Sequence, residues 1–352
     1  MRIAPALFLI ALSLPPAVHA ADAAMPAAAA PVDAAPAAAA QPSVRFLSAV
    51  DARAALTEGA GREYYARLQL AEMRAKTGLA LRNVTLEAAR EQVREFYGAQ
   101  VLEFTAQEQS VLRETVIGLH PTLLVKAPLY ARTPWSFIKV SAKIEGGLPH
   151  TRGDHIVLSD GVLTNIVQWR SRNPTAVPLG LANLLAHEQT HILQRHHAEL
   201  FAALYESYGF RHVLLQSTPP WLLERNIVNP DAPDTDWVFP VGAGAARHWI
   251  LPDLVLKNLD HPRMPDDFDV VALDAEEHAG AWSLVDRSMP AAFQELDGLP
   301  DYTRAFPTGD ELFHPNEISA GLLATILSGS RVRNPEHELW NKTRAWAEQA
   351  LR

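Results

Sequence analysis

The sequence predicts an α+β chain, mainly helical, with a small sheet ahead of a long central helix and a helical C-terminal part. Three observations carry that expectation. Apolar residues recur at helical spacing between about 50 and 118. Two short stretches, Trp135–Val140 and His155–Ser159, then read as strands. A long helical run, Leu179–Tyr208, follows them, and helix signals return at Pro315. The composition sustains a core: 352 residues, 48% hydrophobic and 20% charged, which excludes a disordered chain.

Met1-Arg2, the apolar run Ile3–Leu14, the break at Pro15-Pro16 and the small-residue end Val18-His19-Ala20 read as a secretory signal peptide over 1–20. An apolar run of about 12 residues is too short to span a bilayer. The expectation is therefore an exported chain, periplasmic or secreted, with no stable membrane insertion once the signal is cut. Between Ala21 and Pro42 there are 13 Ala and 4 Pro, and the prolines prevent a continuous helix, so 21–43 reads as a flexible tether. Order is expected from Val44-Arg45-Phe46.

Residues 44–125 read as a helical N-terminal layer, and 126–352 as the part that carries the chemistry. Glu63–Leu70 is helical in pattern, Thr85 opens another helix, and Thr105-Ala106-Gln107-Glu108 forms a capping box. His120-Pro121 is expected to end that helix. Gly146-Gly147 marks a turn between the two strands. The central helix begins after Pro178 and stops at Gly209. Thr218–Val241, rich in Pro and Asp, reads as irregular. Asp269–Leu273 and Ala281–Val285 suggest a hairpin around His278-Ala279-Gly280. Helices from Pro315 to about Leu327 and over 335–351 close the chain.

Charge and cysteine narrow the function. A net charge of −9 argues against a nucleic-acid partner, because phosphate contacts need clustered Lys and Arg. Cysteine is absent, so disulfides, thiolate metal ligands and a Cys nucleophile are excluded. The informative string is His187-Glu188-Gln189-Thr190-His191. Residues four apart on a helix lie one above the other, about 5.4 Å along the axis, so both imidazoles can reach one ion. Neutral imidazole suits Zn²⁺, and Glu188 stands beside the first ligand.

These residues resemble the zincin metallopeptidases. The match covers His187–His191, the strand-then-helix order before them and a downstream candidate ligand. The resemblance implies a zincin-like fold and a zinc hydrolase acting on peptide or protein substrates, with Glu188 as general base and later proton donor. It also implies an edge strand, expected near Ile156–Ser159, that pairs with an extended substrate; Asp154 and Ser159 flank it. Two histidines leave a tetrahedral site incomplete. Glu317, in His314-Pro315-Asn316-Glu317-Ile318-Ser319-Ala320, matches the Asn-Glu-x-x-Ala-like string of gluzincins. It lies far further from His191 than in familiar members, and Gly321 stands where some carry an Asp.

His197 has the metzincin spacing, but Gln194 replaces the Gly at which those chains turn back. Glu199 or Glu206, further along the same helix, compete less well. His314, Tyr302 and Arg304 are candidates for stabilising an oxyanion, His314 foremost because it adjoins Glu317. Asn229, Asp231, Asp234 and Asp236 form an acidic loop, read as a Pro-Asp turn cluster ahead of a Ca²⁺ site. Ser136-x-x-Lys139, Lys76-Thr77-Gly78 and Gly242-Ala243-Gly244 read as coincidences. Two alternatives to a peptidase stand beside it: a non-catalytic exported zinc-binding protein, and a zinc hydrolase of non-peptide amides.

Overall fold

A computed structural model describes residues 41–174, 179–232, 236–285, 294–307, 313–332 and 334–352. The expected signal peptide and most of the tether lie outside the described residues. Among those described, no helix is long and apolar enough to cross a membrane. The described residues are mixed α/β and form two sheets.

The first sheet runs Val44–Phe46, Trp135–Val140, His155–Ser159, His150–Arg152. The first three strands are parallel and the last is antiparallel, while Val101–Leu102 pairs with the end of Trp135–Val140. Side chains alternate between its faces. Trp135, Phe137, Ile156 and Leu158 enter one core, and Ile138, Val140 and Val157 enter another. A parallel sheet needs cover on both faces. Helices Ala49–Thr57, Ala60–Arg67, Leu70–Thr77 and Leu86–Ala99 cover one; Ala106–Lys126, Asp160–Arg172 and Leu179–His196 cover the other.

The edge strand is His150–Arg152, and Ile156–Ser159, expected at the edge, lies inside the sheet. Gly153 at φ +53° lets the chain fold back between the two, which adds the extra antiparallel strand. Ser159 caps the helix Asp160–Arg172, and Asp154 bonds exposed His196.

His120-Pro121 does not end its helix, which runs Ala106–Lys126 behind the expected Thr105/Glu108 capping box. Pro121 removes the bond to the Ile117 carbonyl, but both residues lie on an exposed stretch where solvent can serve that oxygen. Leu119 and Leu123 on the inner face hold the helix together. The central helix also differs from expectation: it stops at His196, and His197 is non-helical (φ −130°, ψ 46°). A second helix, Ala198–Tyr208, follows. The break re-aims Phe201, Leu204, Tyr205 and Tyr208 into the core shared with the last two helices, Pro315–Ser328 and Glu338–Ala350.

The second sheet is an antiparallel meander of Arg211–His212, Trp237–Val241, His248–Leu256, Phe268–His278 and Ala281–Leu284, with Gln294–Glu295 added beside Phe268–His278. Part of it occupies the stretch expected to be irregular. Pro240 and Pro252 mask the strand pattern, yet both are ladder partners, of Trp249 and Ala272. The hairpin expected at His278–Ala281 is present, with Ala279 and Gly280 both at positive φ (53° and 83°), the conformation of a two-residue type I′ turn. This sheet packs Ile250, Leu254 and Leu256 into the main core and closes Val238, Leu251, Val271 and Leu273 in a core of its own. It is inserted between the His-Glu helix and the helix of Glu317, which explains their long separation in sequence.

Candidate metal centre

Leu179–His196 is nearly encased: every residue from Ala186 to Gln194 is buried. Helical spacing puts His187 and His191 on one face, rings edge to face with centroids 4.6 Å apart. The helix Pro315–Ser328 crosses it. His314 caps that helix by accepting from the Asn316 N–H (3.3 Å), Pro315 takes the first helical position, and Glu317 falls in the first turn. The packing brings Glu317 to the histidines. His187 Nε2 and His191 Nε2 lie 2.9 Å apart, and Glu317 Oε2 is 3.3 Å from each. Ligands about 2.0–2.1 Å from a tetrahedral ion stand roughly 3.3–3.4 Å from one another, so the two Glu317–histidine spacings match such a site, while the two histidine nitrogens stand closer together. Among the described residues, these three form the one group able to hold a metal.

Neighbours fix two of the three donors. His191 Nδ1–H donates to Gln194 Oε1 (2.8 Å), which leaves the Nε2 lone pair toward Glu317 and His187. Gln194 Nε2 in turn donates to the Asn316 carbonyl (2.9 Å) and Ser319 Oγ (3.0 Å), tying the helix of the two histidines to the helix of Glu317. Asn229 Nδ2 donates to Glu317 Oε1 (2.6 Å), so Oε2 is the oxygen turned to the histidines. Asp231 accepts from the Thr151 N–H on the edge strand (2.7 Å), and its own carbonyl accepts from Asn316 Nδ2 (3.0 Å).

Glu188 lies in the same buried space, and its Oε2 has no hydrogen-bond partner among the described residues. Burial foremost, then the Asp231 carboxylate, pushes its carboxyl up to about 8, against the pull of the two histidines. Glu317 moves oppositely: burial works to raise it, but His191 and His187 hold it well below the usual carboxylate range. His191 is raised, because Glu317 and Asp231 outweigh the opposing effect of its burial. Imidazole nitrogen with carboxylate oxygen is a donor set that suits Zn²⁺.

The other sequence candidates go elsewhere. Half-buried His197 sits at the helix break, and Glu199 and Glu206 are exposed. Tyr302 packs among Phe210, Phe239 and Phe306, and exposed Arg304 pairs with Asp301. Ser136 bonds His155, while Lys139 pairs with Glu108, as expected of residues three apart on opposite faces of a strand. Gly242 belongs to a turn in which any Cβ would meet the Ala246 carbonyl at 2.4 Å. The acidic loop is not one cation site: Asn229 and Asp231 turn inward to the helices, and Asp236 bonds the Leu215 N–H. Asp234 lies outside the described residues. Sequence reasoning thus missed three residues that support the centre, Gln194, Asn229 and Asp231. Gln194 at a helical spacing of three from His191 was the legible signal. No family model matches this chain, and neither a curated protein nor a solved structure is similar to it.

Proposed function

We propose that the chain is a zinc-dependent hydrolase of peptide bonds, of the zincin type and gluzincin subtype. The carrying observation is the triangle of His187, His191 and Glu317 with an unpartnered carboxylate oxygen of Glu188 beside it. Zinc, when bound there, supplies Lewis acidity toward a carbonyl and acidifies water. Glu188 accepts the proton of the attacking water and returns it to the leaving amine. Gln194 and Asn229 hold the donors, and His314, buried at the start of the Glu317 helix, is the proposed neighbour of the developing oxyanion.

The test pairs two variants. Glu188→Gln keeps zinc at wild-type stoichiometry and loses peptide cleavage by orders of magnitude. His191→Ala loses zinc itself, read by elemental analysis. A Glu188→Gln protein that cleaves as wild type does removes the mechanism. One observation favours a second reading, a non-catalytic zinc protein: His191 is 1% and Glu188 4% exposed, a degree of closure typical of structural sites. Under that reading, Glu188→Gln changes neither zinc content nor any turnover.

A further inference from the structure

Beside the metal centre lies a cavity of about 190 Å³. It adjoins the centre through Gln194, which orients His191, and Asn316, the residue before Glu317, while the three donors and Glu188 themselves do not line it. From there it runs between the re-aimed helix Ala198–Tyr208 and the start of the second sheet. Phe201, Tyr205 and Trp237 form its sides, the last two edge to face at 5.0 Å, and Ala198 and Ala232 leave the room between them. Ala198 is exposed and Arg195 half-buried, which places the mouth at the helix break.

Most polar atoms at its margin are already engaged, and Asp231 and His314 also line it, the latter bonded through Nδ1 to Asn316. Both polar atoms of the Gln194 side chain are bonded as described above. Asn316 Nδ2 is held by the Asp231 carbonyl, and Tyr205 by Ser319. Arg195 bonds the Gly153 and Pro230 carbonyls (3.0 and 2.9 Å) and faces Asp231 at 3.8 Å, so its charge is matched. With Arg195 and Asp231 set against each other, a charged guest would find no unmatched full charge here and would lose its hydration. An apolar ring would find the faces and edges of three aromatic side chains. The size agrees, since an apolar cavity of ~150 Å³ already accepts benzene.

We propose that this cavity is the specificity pocket of the site, taking one bulky uncharged side chain of the substrate, aromatic by preference. The inference rests on the hydrolase reading and names the substrate class for it. Two features absent from simple sequence patterning build it: the break at His197, which turns Phe201 and Tyr205 toward Trp237, and the second sheet that delivers Trp237.

The experiment uses the zinc-loaded full chain carrying Glu188→Gln, so that binding is read without turnover. Affinities of N-acetyl-glycyl-phenylalanine amide, its alanine counterpart and its glutamate counterpart are measured by calorimetry or ligand-observed NMR. The phenylalanine peptide is expected to bind at least ~10-fold more tightly than the other two. Ala198→Trp, at an exposed position that leaves folding and zinc content intact, erases that preference, and Ala198→Leu reduces it. Equal affinity for the phenylalanine and alanine peptides, or a preference that survives Ala198→Trp, overturns the proposal. Failure of the hydrolase reading looks different: the zinc-loaded wild type cleaves no peptide, while the binding preference persists.

Discussion

Two buried charge clusters lie on either side of the first sheet, and they are balanced differently. In the N-terminal cluster Lys76 and Arg152 face Glu72 and Glu145. Glu145 Oε1 accepts from Tyr64 (2.6 Å), Tyr97 (2.8 Å) and Arg152 (2.7 Å), and Lys76 stands 2.9 Å from Glu72. Two cations meet two anions. Burial works to raise Glu145, yet Lys76 and Arg152 hold its carboxyl far below the usual range. In the metal cluster Glu188 is as deeply buried, and it moves up to about 8. Arg195, the nearby cation, is matched to Asp231. The same residue type in the same degree of burial thus shifts in opposite directions: Lys76 and Arg152 together hold Glu145 down, Glu188 has no such pair of cations, and Glu72 beside Lys76 is still raised by its burial. The first cluster is complete as a structural device. The second could hold a metal ion, and under the proposed function a divalent cation would balance it.

The comparison can be broken in four ways. The largest effect is expected from Glu317→Gln, which removes a ligand and one negative charge. Zinc affinity should fall by more than the ~10–100-fold typical of residues one layer further out, and thermal stabilisation by added zinc should largely vanish. Differential scanning with and without zinc checks this; wild-type stabilisation by Glu317→Gln would show that charge balance is irrelevant here.

Glu145→Gln strands Arg152 without its anion and leaves Lys76 with Glu72 alone. Breaking a buried pair in this way costs about 3–5 kcal/mol. Denaturant unfolding should show that loss at unchanged zinc stoichiometry, whereas coupled loss of zinc would mean that the clusters are one unit.

Gln194→Ala leaves all three ligands in place and releases the ring of His191. Zinc affinity is expected to drop ~10–100-fold, with Gln194→Glu recovering part of it, because a carboxylate can also accept from Nδ1–H. Competition with a chromogenic chelator measures both.

The smallest effect concerns a third buried carboxylate. Asp253 has only neutral donors, Asn226 Nδ2 and the Leu254 N–H, both at 2.7 Å. Burial pushes it up to about 7 despite those bonds. The folded chain therefore keeps a proton that the unfolded chain releases near pH ~4, so stability falls as pH rises from about 4 to about 7 and levels above that. Asp253→Asn should remove this slope, on the order of 1–3 kcal/mol, and be the more stable protein at pH 8. A pH-stability profile with unchanged slope would show that Asp253 ionises freely.

Much of the architecture was legible because it is local. The strands Trp135–Val140 and His155–Ser159, the caps at Thr85 and Thr105, the hairpin at Ala279-Gly280 and the helix behind Pro315 each follow from a few adjacent residues. The errors arose where tertiary packing overrode a local signal. Pro121 sits inside a helix because its lost bond faces solvent, and Pro240 and Pro252 sit in strands held by their neighbours. His197 breaks a helix whose periodicity gave no warning.

For the site, the sequence by itself determined the pair His187 and His191 with Glu188 alongside, because a helix of 3.6 residues per turn puts them on one face whatever surrounds it. Glu317 could be proposed from its string but not placed. Its approach to the histidines, the clasp of Gln194 on Asn316 some 122 residues away, and the grip of Asn229 on the carboxylate were decided only by the packing of two helices with a whole sheet inserted between them in sequence. Periodicity fixes neighbours within a turn; burial of shared apolar surface fixes neighbours across the chain, and no local pattern encodes that choice.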